Sequence, residues 1–217
     1  MKPSQGKNAQ GKQVQGKQAI AIAAWGLLAA CVLFPLGIAV ANPLQATRDA
    51  LWILGGLSGV VALALLLAQP LLAGGYLPGA SMMASRRWHR WFGVIITATV
   101  CLHVAGLYLS SPADITDALL LVAPTPFSVY GVIGLVSVLL TAALVAIKSK
   151  SGLRYASWRI VHNALALVVV VASIVHALLI DGAMGNLSKA ALCALILGAT
   201  IIVLFRIHVA KAALKGR

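Results

Sequence analysis

The chain has 217 residues, of which 61% are hydrophobic and only 10% are charged. A soluble domain carries about 45–50% apolar and about 25% charged residues, so this composition excludes a water-soluble globule and identifies an integral membrane protein. The formal charge of +13, from 17 Lys and Arg against four acids, excludes a nucleic-acid surface as its first reading, because the basic residues lie between apolar runs, where they report membrane topology.

Residues 1–18 are polar and repetitive, with Lys2, Lys7, Lys12 and Lys17 set among Gln and Gly. They have no apolar area to bury, and this predicts a disordered basic arm. The next apolar run, 19–41, is longer than the roughly 7–15 residues of a signal-peptide core, so it reads as a first spanning helix. Further runs lie near 50–69, 89–110, 127–147, 158–180 and 189–210, each long enough to cross a bilayer, which takes about 20 residues. Short connections with helix breakers separate them: Asn42-Pro43, Pro70 to Pro78-Gly79, Ser111-Pro112, Pro124 and Pro126, Ser151-Gly152, and Gly182 to Gly185. The expectation is an all-α, six-helix transmembrane bundle over 19–210, followed by a basic tail at 211–217.

All 17 basic residues except Arg48 and Lys189 fall on one side of this arrangement, and all four Asp (49, 114, 117 and 181) fall on the other. By the positive-inside rule both termini are cytoplasmic, in a cell (inner) membrane. Cys31, Cys101 and Cys193 are scattered through apolar runs without close spacing. They read as free thiols acting as small hydrophobes, not as a disulfide or zinc framework.

Ionisable side chains inside spanning helices are costly, which makes the five His the leading functional candidates. His89 and His103 stand 14 residues apart on the third span, and His162 and His176 stand 14 apart on the fifth. Fourteen steps of about 100° fall some 40° short of four turns, so each pair shares a face, separated by about 21 Å along the axis. The third and fifth spans run parallel, which sets His89 level with His162 and His103 level with His176. Imidazole is an axial ligand for haem iron, and two matched pairs fit two bis-His b haems, an inner one on His89/His162 and an outer one on His103/His176. Pairs so far apart cannot form one coordination sphere for a transported metal ion. Small residues near each His, including Gly93 and Gly106 on the third span and Ala166 and Ser173 on the fifth, suit either a macrocycle or close helix packing. Arg86, Arg87, Arg90, Arg154 and Arg159 gather at the inner level, where propionates need cations and where the positive-inside rule also puts them; of these, Arg86, Arg90 and Arg159 are the candidate cofactor-binding residues. His208, near the end of the sixth span, has no partner at the 14-residue spacing and reads as an interfacial His.

The stretches RRWHRWFGVIITATVCLH (86–103) and YASWRIVHNALALVVVVASIVHALL (155–179) resemble the ferric reductase-like transmembrane domain. That family includes ferric-chelate reductases, the membrane half of NADPH oxidases, and the bacterial haem subunit serving methionine sulfoxide reductase. The resemblance covers about residues 50–210 and rests on the paired His and the Trp-Arg-x-x-His segment. It implies that His89, His103, His162 and His176 ligate haem iron, and that electrons pass from a cytosolic flavin to an acceptor on the far side. The chain departs from the full-length reductases in having no flavin-domain sequence and no Gly-rich dinucleotide loop after its last span. FAD is therefore expected only on a separate partner.

The sequence thus leads to transmembrane electron transfer through two b haems, with a cytoplasmic flavin reductase or membrane quinol as donor. The expected acceptor is external, either a ferric chelate or an extracytoplasmic oxidoreductase. A quinol-linked cytochrome b anchor keeps the haems and changes the circuit, but its usual quinone-site motifs are not visible. A haem-free membrane assembly or transport protein is the third alternative; it lacks a midplane carboxylate and an intramembrane Lys or Arg near a helix centre.

Overall fold

Apolar runs in hydrocarbon can satisfy their backbone groups only internally, and every long run here is helical. A computed structural model describes the backbone of residues 4–150 and 152–215, and the side chains of residues 13, 15–150 and 152–206. Among these, the α-helices are α1 (Ser4–Val40), α2 (Ala50–Gly74), α3 (Met82–Ser110), α4 (Pro112–Leu119), α5 (Pro126–Ala146), α6 (Tyr155–Leu179) and α7 (Asn186–Lys215). Six of them contain stretches long and apolar enough to span a membrane: Gln15–Val40, Ala50–Gly74, Met82–Ser110, Pro126–Ala146, Tyr155–Leu179 and Asn186–Arg206. The chain is an all-α, multi-pass membrane protein.

Three features differ from the sequence expectation. First, helical backbone runs back to Ser4, through residues 4–18 that composition assigns to a disordered arm. Gln and Lys are good helix formers, and extension from an existing helix avoids the cost of nucleation, which offsets the cost of Gly6, Gly11 and Gly16. Second, α2 continues through Pro70 to Gly74 and ends on Gly75, whose φ of +67° is the left-handed stop glycine adopts readily. A proline inside a spanning helix is tolerated because neighbouring groups re-satisfy the freed carbonyl. Third, the connection after Ser111 holds α4, started by Pro112 at its first position and by Asp114 in its first turn.

Two antiparallel hairpins form the centre: α2 lies along α3, and α5 lies along α6. Gly55 and Gly106 allow α2 and α3 to touch backbone to backbone; a Cβ on Gly106 would stand 2.9 Å from the Gly55 Cα. By contrast, the backbones of α3 and α6 scarcely approach one another. α1 and α7 both pack on α2. The buried core runs from Leu63, Ala64 and Leu67 of α2 through Ile96 and Ile174 to Leu192 and Ile196 of α7. Large apolar side chains such as Ile22 (73% exposed) and Phe34 (67% exposed) point outward, the surface a bilayer covers. Cys193 is buried, Cys31 half-buried and Cys101 exposed, so only one of the three thiols is a core residue.

The helix ends are tied by polar contacts. Asn42 Nδ2 donates to the Ala183 carbonyl at 2.8 Å, and the buried Lys189 Nζ donates to the Ile180 carbonyl at the end of α6. Trp25 Nε1 of α1 donates to the Pro78 carbonyl at 3.1 Å. Asp49 caps α2 by accepting from the Leu51 and Trp52 N–H groups, both at 2.9 Å, and Ser110 Oγ donates to its other oxygen at 2.6 Å. The Ser110 hydroxyl foremost, and then the Trp52 N–H, hold the Asp49 carboxyl below its ordinary value of 3.8. A depressed carboxylate contributes stability that is present above 3.8 and is lost as pH falls through its folded value. Asp49→Ala is therefore expected to lower the thermal midpoint in detergent at pH 7, and the gap to the parent is expected to close as pH falls below 3.8.

Candidate functional site

The two hairpins meet through four imidazoles. His89 and His162 have ring centroids 6.2 Å apart at an interplanar angle of 75°. His103 and His176 have centroids 6.3 Å apart at 80°. The structure therefore brings level partners together: the His nearer the start of α3 meets the His nearer the start of α6, as parallel spans require. All four rings are half-buried.

Backbone carbonyls of the partner helix in each hairpin hold three of the rings. His103 Nδ1 lies 2.8 Å from the Gly55 carbonyl on α2, and His176 Nδ1 lies 2.8 Å from the Phe127 carbonyl on α5. His89 Nδ1 lies 3.3 Å from the Gln69 carbonyl. A carbonyl only accepts, so in each case Nδ1 carries the proton and donates it. The neutral tautomer so fixed leaves the Nε2 lone pair as the ring's basic atom, the arrangement that a metal-ligating imidazole uses.

The outer pair also has glycine walls. A Cβ added to Gly59 of α2 would stand 2.7 Å from His103 Nδ1, and one added to Gly131 of α5 would stand 2.8 Å from His176 Cε1. Phe127 flanks the His176 ring with its centroid at 6.0 Å. The small residues of α3 serve a different purpose: Gly106 packs on Gly55, and Gly93 faces Gln69. On α6, Ser173 faces Gly134.

The inner pair sits among aromatic and cationic groups. Trp158 stacks on His162, with centroids 5.0 Å apart at 11°, and Tyr155 stacks on Trp158 at 6.0 Å and 21°. The Lys148 ammonium lies 4.2 Å from the Trp158 ring centroid. Arg159 is half-buried, with its guanidinium 5.7 Å from the Tyr155 ring centroid. Arg86 and Arg90 are exposed on the first turns of α3. Among the described residues, five buried polar side-chain atoms have no hydrogen-bond partner, and four of them lie on inner-level residues: Gln69 Oε1, Ser85 Oγ, Arg159 Nε and His162 Nδ1. Buried polar atoms are nearly always paired, so this concentration distinguishes the inner level. The His208 side chain lies outside the described residues.

Sequence reasoning did not anticipate Gln69, Gly59, Gly131 or the stacking role of Trp158. A glutamine inside a spanning run was a visible signal; carbonyl acceptors have no signature in side-chain type. Gly131→Ala, with the His176 ring locked against it, is expected to destabilise the protein by about 1–3 kcal/mol in detergent denaturation. Gly198→Ala, where an added Cβ meets open space, is expected to be neutral or to stabilise by up to about 1 kcal/mol.

A family model described as the ferric reductase-like transmembrane component matches residues 58–173, which span α2 to α6 and contain three of the four paired histidines. No curated protein and no solved structure matches the chain significantly. The family match covers more than half of the chain, and the chain accordingly belongs to the ferric reductase-like transmembrane family.

Proposed function

We propose that the chain carries electrons across a cell (inner) membrane by holding two b haems, the inner on His89 and His162 and the outer on His103 and His176. Membership of a family of transmembrane oxidoreductase components supports the electron-transfer role. The observation that carries the cofactor assignment is the separation of the rings. Two imidazoles that would hold one metal ion between them, with metal–nitrogen bonds of about 2.0–2.1 Å, would have ring centres about 6.2–6.4 Å apart. The two pairs stand at 6.2 Å and 6.3 Å. Among the described residues no group of three or more His, Cys, Asp or Glu comes together, so a bare metal ion finds only two protein ligands at either level. Haem iron asks for two, since its macrocycle supplies the others. The scant backbone contact between α3 and α6 agrees with a gap bridged by a bulky group.

The chain's own residues then have defined work. The Gly55, Gln69 and Phe127 carbonyls hold their imidazoles with Nδ1 protonated, so Nε2 is presented for ligation without a proton to lose. Gly59 and Gly131 keep Cβ atoms away from the outer rings. Arg159, with its unpartnered Nε, and the exposed Arg86 and Arg90 supply cations for propionates at the inner level. Bound haem supplies one-electron exchange at each level; the protein supplies ligation, spacing and burial.

The charge distribution supports cytoplasmic termini, since all basic residues but Arg48 and Lys189 then lie inside and all four Asp outside. The donor in this reading is a cytoplasmic flavoprotein, and the acceptor is external, a ferric chelate or an extracytoplasmic oxidoreductase. The purified chain is expected to show a reducible low-spin haem b spectrum with two haems per chain. His103→Ala and His176→Ala are each expected to remove about half of the haem while the protein stays in the membrane fraction. A colourless preparation, or unchanged haem in both variants, overturns the assignment. Reduction by an added flavoprotein supports the proposed donor, whereas reduction by a quinol analogue alone moves the chain to a quinol-linked circuit.

A further inference from the structure

The carbonyl acceptors repeat with the same period as the histidines. Gly55 and Gln69 stand 14 residues apart on α2, antiparallel to His89 and His103. On α5 the Phe127 carbonyl holds His176, and 14 residues further on lies Thr141, the position from which the fourth ring should be held. That bond is absent: His162 Nδ1 is buried without a hydrogen-bond partner.

The residue four positions beyond each carbonyl varies with the bond. In an α-helix the N–H of residue i+4 bonds the carbonyl of residue i, so its Cα stands beside the approach to that oxygen. Beyond Gly55 and Phe127 these residues are Gly59 and Gly131, and both bonds measure 2.8 Å. Beyond Gln69 it is Ala73, and the bond lengthens to 3.3 Å. Beyond Thr141 it is the β-branched Val145, and no bond forms. Across the four positions the bond is shortest beyond glycine, longer beyond alanine and absent beyond valine. At this level α5 instead offers the Leu144 carbonyl, which accepts from Trp158 Nε1 at 3.3 Å, and Trp158 lays its face on His162.

We propose that Trp158 is the positioning residue of His162, and that His162, braced by stacking where the other three rings are hydrogen-bonded, is the exchangeable ligand of the set. The inner level is then the one that admits a small neutral ligand. A stacked ring slides and turns within its own plane, whereas a ring with Nδ1 on a carbonyl is fixed in direction. When His162 leaves reduced iron, one iron–Nε2 bond breaks and one bond to the incoming ligand forms, with no change of oxidation state. This inference rests on the haem assignment above.

Carbon monoxide added to the dithionite-reduced full chain, with haem counted as its pyridine complex, tests both. The expected result is two haems per chain, of which one binds carbon monoxide and the other stays six-coordinate. Trp158→Leu is expected to speed carbon monoxide binding about tenfold with both haems retained, while Trp158→Phe, which keeps a stacking ring, stays within about twofold of the parent. Trp25→Leu, which removes an aromatic contact of α1 with Trp88, serves as the control and is expected to leave the rate unchanged. A two-haem preparation in which neither or both haems bind carbon monoxide overturns this inference alone. So does a Trp158→Leu rate equal to the parent's or matched by Trp25→Leu. Should Trp158→Leu lose haem, the parent stoichiometry and the Trp158→Phe rate still decide. A preparation without haem overturns the assignment beneath it as well.

Discussion

An imidazole N–H in hydrocarbon is costly to leave without an acceptor, because no water is there to take it, and for three of the four rings the acceptor is a backbone carbonyl of a neighbouring helix. The rest of the central architecture follows from that constraint. A carbonyl already engaged in its own helix accepts a second donor only if the donor's helix comes close, which is why α2 and α3 touch at Gly55 and Gly106. It also requires the neighbouring turn to be clear, and Gly59 and Gly131 clear it beside His103 and His176. The same bond fixes the tautomer, which fixes the nitrogen each ring offers to a ligand. Helix packing, glycine placement and the chemistry of the rings are one requirement expressed at three scales.

The consequence is a pair of structurally equivalent hairpins. The carbonyl, glycine and histidine of the outer level in α2–α3 recur in α5–α6 at offsets of 72 residues on the first helix and 73 on the second. Both hairpins run the same way through the membrane, so they face each other across His pairs without much backbone contact. The hairpins approach one another through α3 and α5, while α3 and α6 stay apart at the level of the rings, which leaves room between the His pairs for a bulky group.

Much of this was legible in the sequence, for identifiable reasons. Long apolar runs have no rival interpretation, so all six spans fall where hydropathy puts them, although the third begins seven residues earlier, at Met82, and the second ends five later, at Gly74. The 14-residue His spacing survives because an α-helix holds its register over four turns, and level partners meet. What failed had no such signature. α4 is too short to register as an apolar run, although Ser111-Pro112 and Asp114 mark its start. Pro70 has the residue type of a breaker but stands inside α2, where packing outweighs one lost hydrogen bond. The acceptors for His89, His103 and His176 are main-chain oxygens, invisible in residue type. Gly93 and Gly106 were visible and ambiguous between a macrocycle and helix packing; the structure shows them against Gln69 and Gly55.

The two levels differ in the groups that surround their rings. The inner level gathers four residues that each carry a buried polar atom without a partner among the described residues, Gln69, Ser85, Arg159 and His162, beside the stacked Trp158 ring. The outer rings have glycine walls and apolar neighbours, so each must be satisfied by a backbone carbonyl or pay the full desolvation cost. Tight symmetric anchoring outside and looser, aromatic bracing inside therefore arise from the same rule applied to two environments. The rule also sets the direction of change: a side chain at Gly59 or Gly131 would press on the rings of His103 and His176, so the acceptor helices α2 and α5 govern how firmly the outer imidazoles are held.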